Sequence, residues 1–171
     1  MPESKRNTGP NALRRGRSSA PGVSFFVTIC VTQREPKLIP DIAQLVLAEA
    51  HLMTSEEVWT LRCITVMPDH LHLLFALGVR LTLAQSIAGL KVRAKPLLRE
   101  KSATWQDNFY DHRLRPGDSI EATIRYIWMN PYRENLIPAE GSWPWFYCCP
   151  EEWAWFEGLT DLGRPFPEWL A

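Results

Sequence analysis

The sequence predicts an α+β fold, in which an antiparallel sheet carries helices on one face and a further helix is appended on the C-terminal side. Stretches with strand patterning alternate with amphipathic stretches of helical period in the order β, α, β, β, α, β, and one more helix follows. That order is the split βαβ, or ferredoxin-like, arrangement. The length of 171 residues suits a single domain with a sizeable core.

Each element is predicted from its periodicity and its boundary residues. In chain order these are a strand at 25–32, a helix at 42–53 capped by Asp41, a strand at 58–66, a strand at 70–75 entered through a turn at 67–69, a helix at 81–98 capped by Thr82, a β segment at 105–114 and the appended helix at 119–130. Pro96 is expected to end or kink the second helix, because proline lacks a backbone N–H.

The formal net charge is zero, but the charges are unevenly placed along the chain. Residues 1–22 hold five basic groups and one acidic group, whereas residues 134–171 hold one basic group and seven acidic groups. The first segment is rich in Gly, Pro, Ser and Arg and lacks periodicity, which predicts a flexible basic arm. This distribution is typical of a basic body that can meet a polyanion, followed by an acidic tail.

The four cysteines form neither a Cys-x-x-Cys pair nor a disulfide-rich pattern. Cys30 and Cys63 fall within strand patterns, so we expect them to be buried thiols of a protein in the reducing cytoplasm. We expect no zinc site from the cysteines. No apolar run is long enough to span a bilayer, so no membrane association is expected.

Two histidines separated by one residue stand near the middle of the chain, in a run of β-favouring apolar residues. Because side chains alternate faces along a strand, His70 and His72 point to the same side. A Pro-Asp turn precedes them, which places the pair at the start of the strand, where a metal ion or a phosphate can reach it. Hydrogen-bonded structural histidines are the alternative, and the pair by itself leaves both open.

The appended helix carries a second polar pair. Tyr126 and Asn130 are four residues apart and share a face. Ile120, Ile124 and Ile127 form a separate apolar stripe that is expected to dock the helix on the sheet. The helix is therefore expected to present a phenol and an amide together, away from its own buried side.

Three blocks of the sequence, taken together and in order, resemble a known family. They are Met-Pro-Asp-His-Leu-His at 67–72, Trp-Gln-Asp-Asn-Phe-Tyr-Asp-His-Arg-Leu-Arg at 105–115 and Tyr-Ile-Trp-Met-Asn-Pro-Tyr-Arg at 126–133. These blocks are similar to the signatures of the REP-associated tyrosine transposases, which belong to the IS200-like, single-tyrosine superfamily of HUH (His-hydrophobic-His) transposases. The resemblance implies an HUH single-tyrosine domain at 23–147, between the flexible basic arm at 1–22 and an acidic, Trp-rich tail at 148–171.

The resemblance also implies roles for four residues. His70 and His72 match the two metal-binding histidines, Tyr126 matches the nucleophile, and Asn130 matches the polar residue that relatives use as a third metal ligand. Two imidazoles and an amide suit Mg²⁺ or Mn²⁺, and the nitrogens favour Mn²⁺. The family commonly continues Asn-Pro-Val with a small residue and Gly, whereas this chain continues with Tyr132 and Arg133.

The activity implied is that of a metal-dependent single-stranded DNA endonuclease and strand transferase, which cuts hairpin repeats through a 5′-phosphotyrosine intermediate. A phenol has a pKa of about 10 and needs activation, and the sequence names no base for it. The implied partner is single-stranded or hairpin DNA of the REP type, bound by a monomer, with a dimer left open. A non-catalytic DNA-binding regulator and a metal-dependent phosphodiesterase that uses water are the alternatives.

Eight further residues are candidates for DNA binding from their charge or position. They are Arg14, Arg15 and Arg17 in the arm, Lys91 and Lys95 on one face of the second helix, and His112, Arg113 and Arg115 at the end of the fourth β segment. The alternatives are that the arm is disordered without a fixed role, that the lysines lie on a solvated helix face, and that His112 is a structural histidine.

The segment from 143 onward holds five tryptophans, and five acidic residues lie between 151 and 168. The tryptophans could stack unpaired bases, but the acidic residues would repel a phosphate backbone. Completion of the core is the favoured use of these rings. A tail that folds over the basic face and limits access of DNA is a third option.

Overall fold

The computed structural model describes residues 20–32, 38, 40–158, 160, 164–166 and 169. Within these residues the strands are β1 (Ser24–Cys30), β2 (Trp59–Val66), β3 (His70–Leu77), β4 (Tyr110–Arg113) and β5 (Phe146–Cys148). The helices are α1 (Asp41–Ser55), α2 (Leu83–Glu100), α3 (Ile120–Arg133) and α4 (Pro150–Glu157). Most of the predicted basic arm lies outside the described residues.

The strands form one sheet in the order β4-β1-β3-β2-β5, and every neighbouring pair is antiparallel. The order of elements up to β4 is the predicted βαββαβ, so the α+β, ferredoxin-like class is confirmed. The histidine strand β3 occupies the centre of the sheet, between β1 and β2. Strand β5 pairs with the outer side of β2 and was not predicted, because three residues are too few to show a strand period.

The two faces of the sheet are covered by different helices. Leu71, Leu73 and Phe75 of β3 pack into a core that also contains the buried sides of α1 and α2. Leu74 points to the opposite face and packs in a second core with residues of α3 such as Ile127. Since side chains alternate along β3, α3 lies on the face of the sheet that carries the histidines.

The first two helices begin differently. Thr82 caps α2 as predicted: its side chain accepts a hydrogen bond from the Gln85 N–H, and the Gln85 side chain accepts one from the Thr82 N–H. The predicted cap of α1 was wrong. Asp41 is the first helical residue, and Pro40 precedes it without a side-chain capping bond. The carboxylate of Asp41 nevertheless lies in the first turn, where the helix dipole favours negative charge.

Two prolines lie inside helices. Pro96 does not end α2, which continues to Glu100 with Leu98 buried in the core. Helix α3 likewise continues through Pro131 to Arg133, beyond its predicted end. Burial of apolar residues on both sides of each proline offsets the missing hydrogen bond.

Within the described residues, no helix combines the length and the apolar character that crossing a membrane requires.

The fourth strand is shorter than its predicted β segment. Only Tyr110–Arg113 pair with β1, and Trp105 forms an isolated bridge with Val31. The residues between them at 106–108 give their backbone carbonyl oxygens to the ammonium group of Lys91, and the N–H of Gln106 donates to the Cys30 carbonyl oxygen of β1.

The tail contributes to the second core. Trp128 of α3 is surrounded by the rings of Trp153, Phe156 and Trp169, whose centroids lie 5.1, 5.8 and 5.7 Å from its own ring. Phe156 is fully buried. Completion of the core, the favoured interpretation of these tryptophans, is therefore confirmed for Trp153 and Trp169.

Candidate active site

The two histidines of β3 converge as their spacing predicts. His70 pairs with Cys30 of β1, and His72 pairs with Thr28 of β1 and Thr65 of β2. The Nε2 atoms of His70 and His72 lie 3.1 Å apart. Both imidazoles therefore present the same ring nitrogen to one point on the face of the sheet that α3 covers.

The other ring nitrogen of each histidine is held by a neighbouring side chain. The Nδ1 atom of His70 donates to the carboxylate of Asp69 across 2.6 Å, because an ionised carboxylate can only accept. The other ring nitrogen of His70, Nε2, is the atom that faces Nε2 of His72. The Nδ1 atom of His72 lies 2.8 Å from the hydroxyl oxygen of Thr28, which can donate or accept. Such contacts fix the orientation of histidines that bind metals.

His72 is held in its neutral form. Burial, and secondarily the charge of His70, lower its pKa to about 3, although a hydrogen bond to the side chain of Asn130 acts in the opposite direction. Only 5% of His72 is exposed. A neutral imidazole is the form that binds a metal ion, so the site is ready for that role at neutral pH.

Helix α3 brings Tyr126 and Asn130 to these histidines. The helix begins at the cap Ser119, whose hydroxyl accepts a hydrogen bond from Ala122 N–H. The Tyr126 ring lies 5.5 Å from the His72 ring between centroids, and 44% of this tyrosine is exposed. The Asn130 amide nitrogen donates to the Tyr126 backbone carbonyl across 2.7 Å. One chain therefore gathers the predicted phenol, amide and imidazoles on one face of its sheet.

One expectation about α3 was wrong. The pair at 126 and 130 was expected to face away from the buried side of the helix, but Asn130 is buried and only 7% exposed. The reason is that α3 docks directly over the histidine face, so the polar pair lies along the border of its buried side. Tyr126 lies nearer to solvent, where its ring also contacts Phe26 at 5.8 Å between centroids.

The geometry fits a divalent metal ion. Two nitrogens bound at about 2.1 Å and at right angles around one ion lie about 3 Å apart, which is close to the 3.1 Å between the Nε2 atoms of His70 and His72. Among the described residues, no group of three or more His, Cys, Asp and Glu side chains forms a metal site. A third protein ligand here would have to be another residue type, and the Asn130 amide lies within hydrogen-bonding reach of His72.

Four residues around the site were not assigned a role from the sequence. Asp69 was assigned only to a turn, and Thr28 and Phe26 only to a strand. Arg133 was noted only as a departure from the family pattern, yet its guanidinium carbon lies 5.8 Å from the centre of the Tyr126 ring. Its spacing of seven residues from Tyr126, two helical turns, is a signal that could have found it. Finding Thr28 required the register between β1 and β3.

The candidate DNA-binding lysines of α2 differ in their surroundings. The Nζ atom of Lys91 donates to the backbone oxygens of Gln106, Asp107 and Asn108, at 2.8, 3.3 and 3.0 Å. Lys95 is exposed, and it lines a cavity of about 460 Å³ together with Lys91 and Arg99. Lys91 thus holds a loop in place, whereas Lys95 is available at the surface.

The other candidates lie at the edge of the sheet or outside the described residues. His112 of β4 is exposed, and its Nε2 atom lies 3.2 Å from a carboxylate oxygen of Asp118. A hydrogen bond from the Arg115 N–H, together with the contact to His112, lowers the pKa of Asp118. Arg113 and Arg115 are exposed. The predicted arm residues Arg14, Arg15 and Arg17 fall outside the described residues, and DNA binding by all eight candidates stays a prediction.

Comparisons with known proteins agree with these features. Residues 22–130 match the family described as Transposase IS200 like. A Haemophilus influenzae protein provisionally named a REP-associated tyrosine transposase is 26% identical, over 85% of this chain and 94% of its own length. The REP-associated tyrosine transposase of Escherichia coli K12 is 19% identical, over 72% of this chain and 74% of its own. A solved REP-associated tyrosine transposase bound to a REP hairpin has a TM-score of 0.70 and 17% identity, covering 100% of this chain and 94% of the other, and so shares the fold.

Proposed function

Because the chain belongs to the family of IS200-like transposases, we propose that it is a metal-dependent single-stranded DNA endonuclease and strand transferase that uses Tyr126 as its nucleophile. The observation that carries the proposal is the position of the Tyr126 ring, 5.5 Å from that of His72, which itself presents Nε2 beside Nε2 of His70. A module that only binds DNA has no need for a phenol next to paired imidazoles.

The proposed reaction exchanges one phosphate ester for another. The phenol oxygen of Tyr126 forms a bond to the scissile phosphorus, and the bond from phosphorus to the 3′ oxygen breaks. The phenol proton passes to solvent, to which the half-exposed Tyr126 has access, and the departing 3′ oxygen takes up a proton to become a hydroxyl. The product is a 5′-phosphotyrosine, and attack on it by a 3′ hydroxyl reverses the steps and joins a strand.

The residues around Tyr126 would prepare this reaction. His70, His72 and Asn130 would hold the metal ion, and Asp69 and Thr28 would keep the two imidazoles in the binding orientation. When bound, Mg²⁺ or Mn²⁺ supplies a Lewis acid at a non-bridging phosphate oxygen. Arg133, whose guanidinium carbon lies 5.8 Å from the centre of the phenol ring, would place a positive charge beside the nucleophile.

We propose hairpin DNA of the REP type as the substrate, by extension from the relative whose structure holds a REP hairpin. The exposed basic residues Lys95, Arg113 and Arg115 support a phosphate backbone as partner, since such contacts supply much of the affinity for DNA. The tyrosine and the histidines of a single chain are neighbours, which supports a protein that can act as a monomer.

The test is the formation of a covalent adduct. The protein is incubated with single-stranded hairpin oligonucleotides and Mn²⁺, and the products are separated under denaturing conditions. We expect an adduct that is lost in Tyr126→Phe and on addition of a chelator. Tyr110→Phe serves as the matched control, because Tyr110 is also exposed and lies on β4. Peptide mapping of the adduct should place the nucleotide on residue 126.

Three results would contradict the proposal in different ways. Tight hairpin binding that resists the chelator, with no cut, would indicate a regulator. Cleavage that persists in Tyr126→Phe would indicate a phosphodiesterase that uses water. An adduct lost in Tyr110→Phe instead would move the nucleophile to β4.

A further inference from the structure

A cavity of about 290 Å³ lies between α3, β5 and the segment that precedes β5. Its lining is mainly aromatic and includes Trp128, Tyr132, Trp143, Phe146 and Trp153. The exposed Ser142 also lines it and places its opening at the surface. Neither the proposed chemistry at Tyr126 nor the metal site uses this cavity.

Two of the lining rings are fixed by hydrogen bonds. The indole N–H of Trp143 donates to the backbone oxygen of Val66 across 3.0 Å, and the hydroxyl of Tyr132 donates to the backbone oxygen of Gly141 across 2.9 Å. A flat ligand that stacks on such rings therefore need not immobilise them on binding, which lowers the entropic cost of association. The cavity is in this sense already formed.

The sheet connects the cavity to the candidate active site. His72 of β3 is paired with Thr65 of β2, which is paired with Phe146 of β5. Directly paired residues in an antiparallel sheet project to the same face, so Phe146 lies on the face that carries His72. Two strand spacings separate these residues, a distance of about 10 Å.

Helix α3 gives a second and independent measure of the separation between the cavity and Tyr126. Tyr132 follows Tyr126 by six residues, which corresponds to about 9 Å along the helix axis and about 120° around it. Arg133, the neighbour of Tyr132, has its guanidinium carbon 5.8 Å from the centre of the Tyr126 ring. At seven residues from Tyr126, Arg133 leaves α3 on the same side as the phenol, whereas Trp128 and Tyr132 of the cavity leave the helix on other sides.

We propose that this cavity binds one unpaired nucleobase of the DNA strand that Tyr126 cuts. The inference rests on the proposed function and adds a subsite for a base that flanks the cut. About 10 Å corresponds to about three stacked nucleotides, and to fewer in an extended strand. Aromatic rings bind unpaired bases by stacking, irrespective of sequence, because every base has a π face. Glu152 of α4, next to the lining residue Trp153, is paired with Arg62, so its charge is offset.

The experiment scans the unpaired flanks of a hairpin oligonucleotide with the fluorescent base 2-aminopurine, one position at a time. Binding is measured with the Tyr126→Phe protein, which lacks the proposed nucleophile, and without added metal. We expect quenching by stacking at one flank position beyond that seen at its neighbours. Ser142→Trp should fill the opening of the cavity, abolish this quenching and weaken hairpin binding about tenfold. Ser142→Ala is the matched control and should behave like the parent.

An abasic nucleotide at the same flank position provides the second arm. The abasic nucleotide should weaken hairpin binding by the Tyr126→Phe parent about tenfold. It should not further weaken hairpin binding by the protein that also carries Ser142→Trp. Uniform quenching at every position, or equal losses from the abasic nucleotide in both proteins, would overturn the base-binding site. That outcome leaves the proposed function intact if the wild-type protein still forms the tyrosine adduct. Absence of the adduct with every hairpin would refute the proposed function instead, and position-specific quenching would still support the cavity as a base-binding site.

Discussion

The carboxylate of Asp69 accepts a hydrogen bond of 2.6 Å from the Nδ1 atom of His70, so a turn residue orients a candidate metal ligand. The two residues are adjacent in the chain, and the turn that starts β3 also sets the direction of the first imidazole. On the second imidazole, the Thr28 hydroxyl contacts Nδ1 of His72 from the neighbouring strand. The candidate site therefore depends on a second layer of residues as well as on its ligands.

Replacing Asp69 tests that dependence. We expect Asp69→Asn to weaken Mn²⁺ binding about tenfold to hundredfold, because loss of the carboxylate frees the tautomer and the orientation of His70. Calorimetric titration of the metal-free protein with Mn²⁺ measures the change. Asp107→Asn is the control, since Asp107 lines the cavity beside α2. Equal affinities for the two variants would show that Asp69 serves only its turn.

Asn130 can be tested by exchanging its amide for a carboxylate. Asp at this position keeps an oxygen ligand but buries a negative charge, since residue 130 is only 7% exposed. We expect Asn130→Asp to lower the free energy of unfolding without metal by about 1–3 kcal/mol. Addition of Mn²⁺ should then raise the melting temperature more in this variant than in the parent, because the ion neutralises the charge. An equal rise in both proteins would argue against residue 130 as a ligand.

Thr65 lies beside His72 in the sheet, and its buried hydroxyl has no hydrogen-bond partner within the described part of the chain. Valine has nearly the same shape without the hydroxyl. We therefore expect Thr65→Val to raise the free energy of unfolding by about 1 kcal/mol, measured by denaturant titration. Thr60→Val, at an exposed position of the same strand, should change it by less than about 0.5 kcal/mol. A destabilised Thr65→Val protein would show that the hydroxyl has a partner in solution.

The features that could be predicted from the sequence have local signals. The alternation at 70–75 fixes which side of β3 carries the histidines, and the spacing of Tyr126 and Asn130 fixes their shared face on α3. These patterns need no knowledge of the neighbouring elements. They also gave the βαββαβ order that the structure confirms.

The features that could not be predicted depend on contacts between distant segments. The pairing of Thr28 with His72 follows from the register of β1 and β3, which no stretch of sequence specifies alone. Helix α4 lies in a segment dominated by charged and aromatic residues, and it packs because Trp128 of α3 offers a ring surface to Trp153. The docking of α3 over the histidine face also depends on tertiary packing, and this docking is what buries Asn130.

Lys91 and Lys95 share a face of α2, and the structure separates their expected effects. Lys91 donates to three backbone oxygens at 106–108, so Lys91→Ala should lower the free energy of unfolding by about 2 kcal/mol through loss of charged hydrogen bonds. Lys95 is exposed, so Lys95→Ala should leave unfolding almost unchanged.

Lys95→Ala should instead reduce the salt dependence of hairpin binding by about one unit in the slope of log affinity against log salt, as expected for one lost phosphate contact. Denaturant titration and binding measured over a series of salt concentrations compare the two variants. The expected result is a crossed pattern, in which stability falls in Lys91→Ala and the salt slope falls in Lys95→Ala. An unchanged slope in Lys95→Ala would mean that the exposed face of α2 does not contact the DNA backbone, and that the phosphate contacts lie elsewhere, with β4 and its Arg113 the next surface to test.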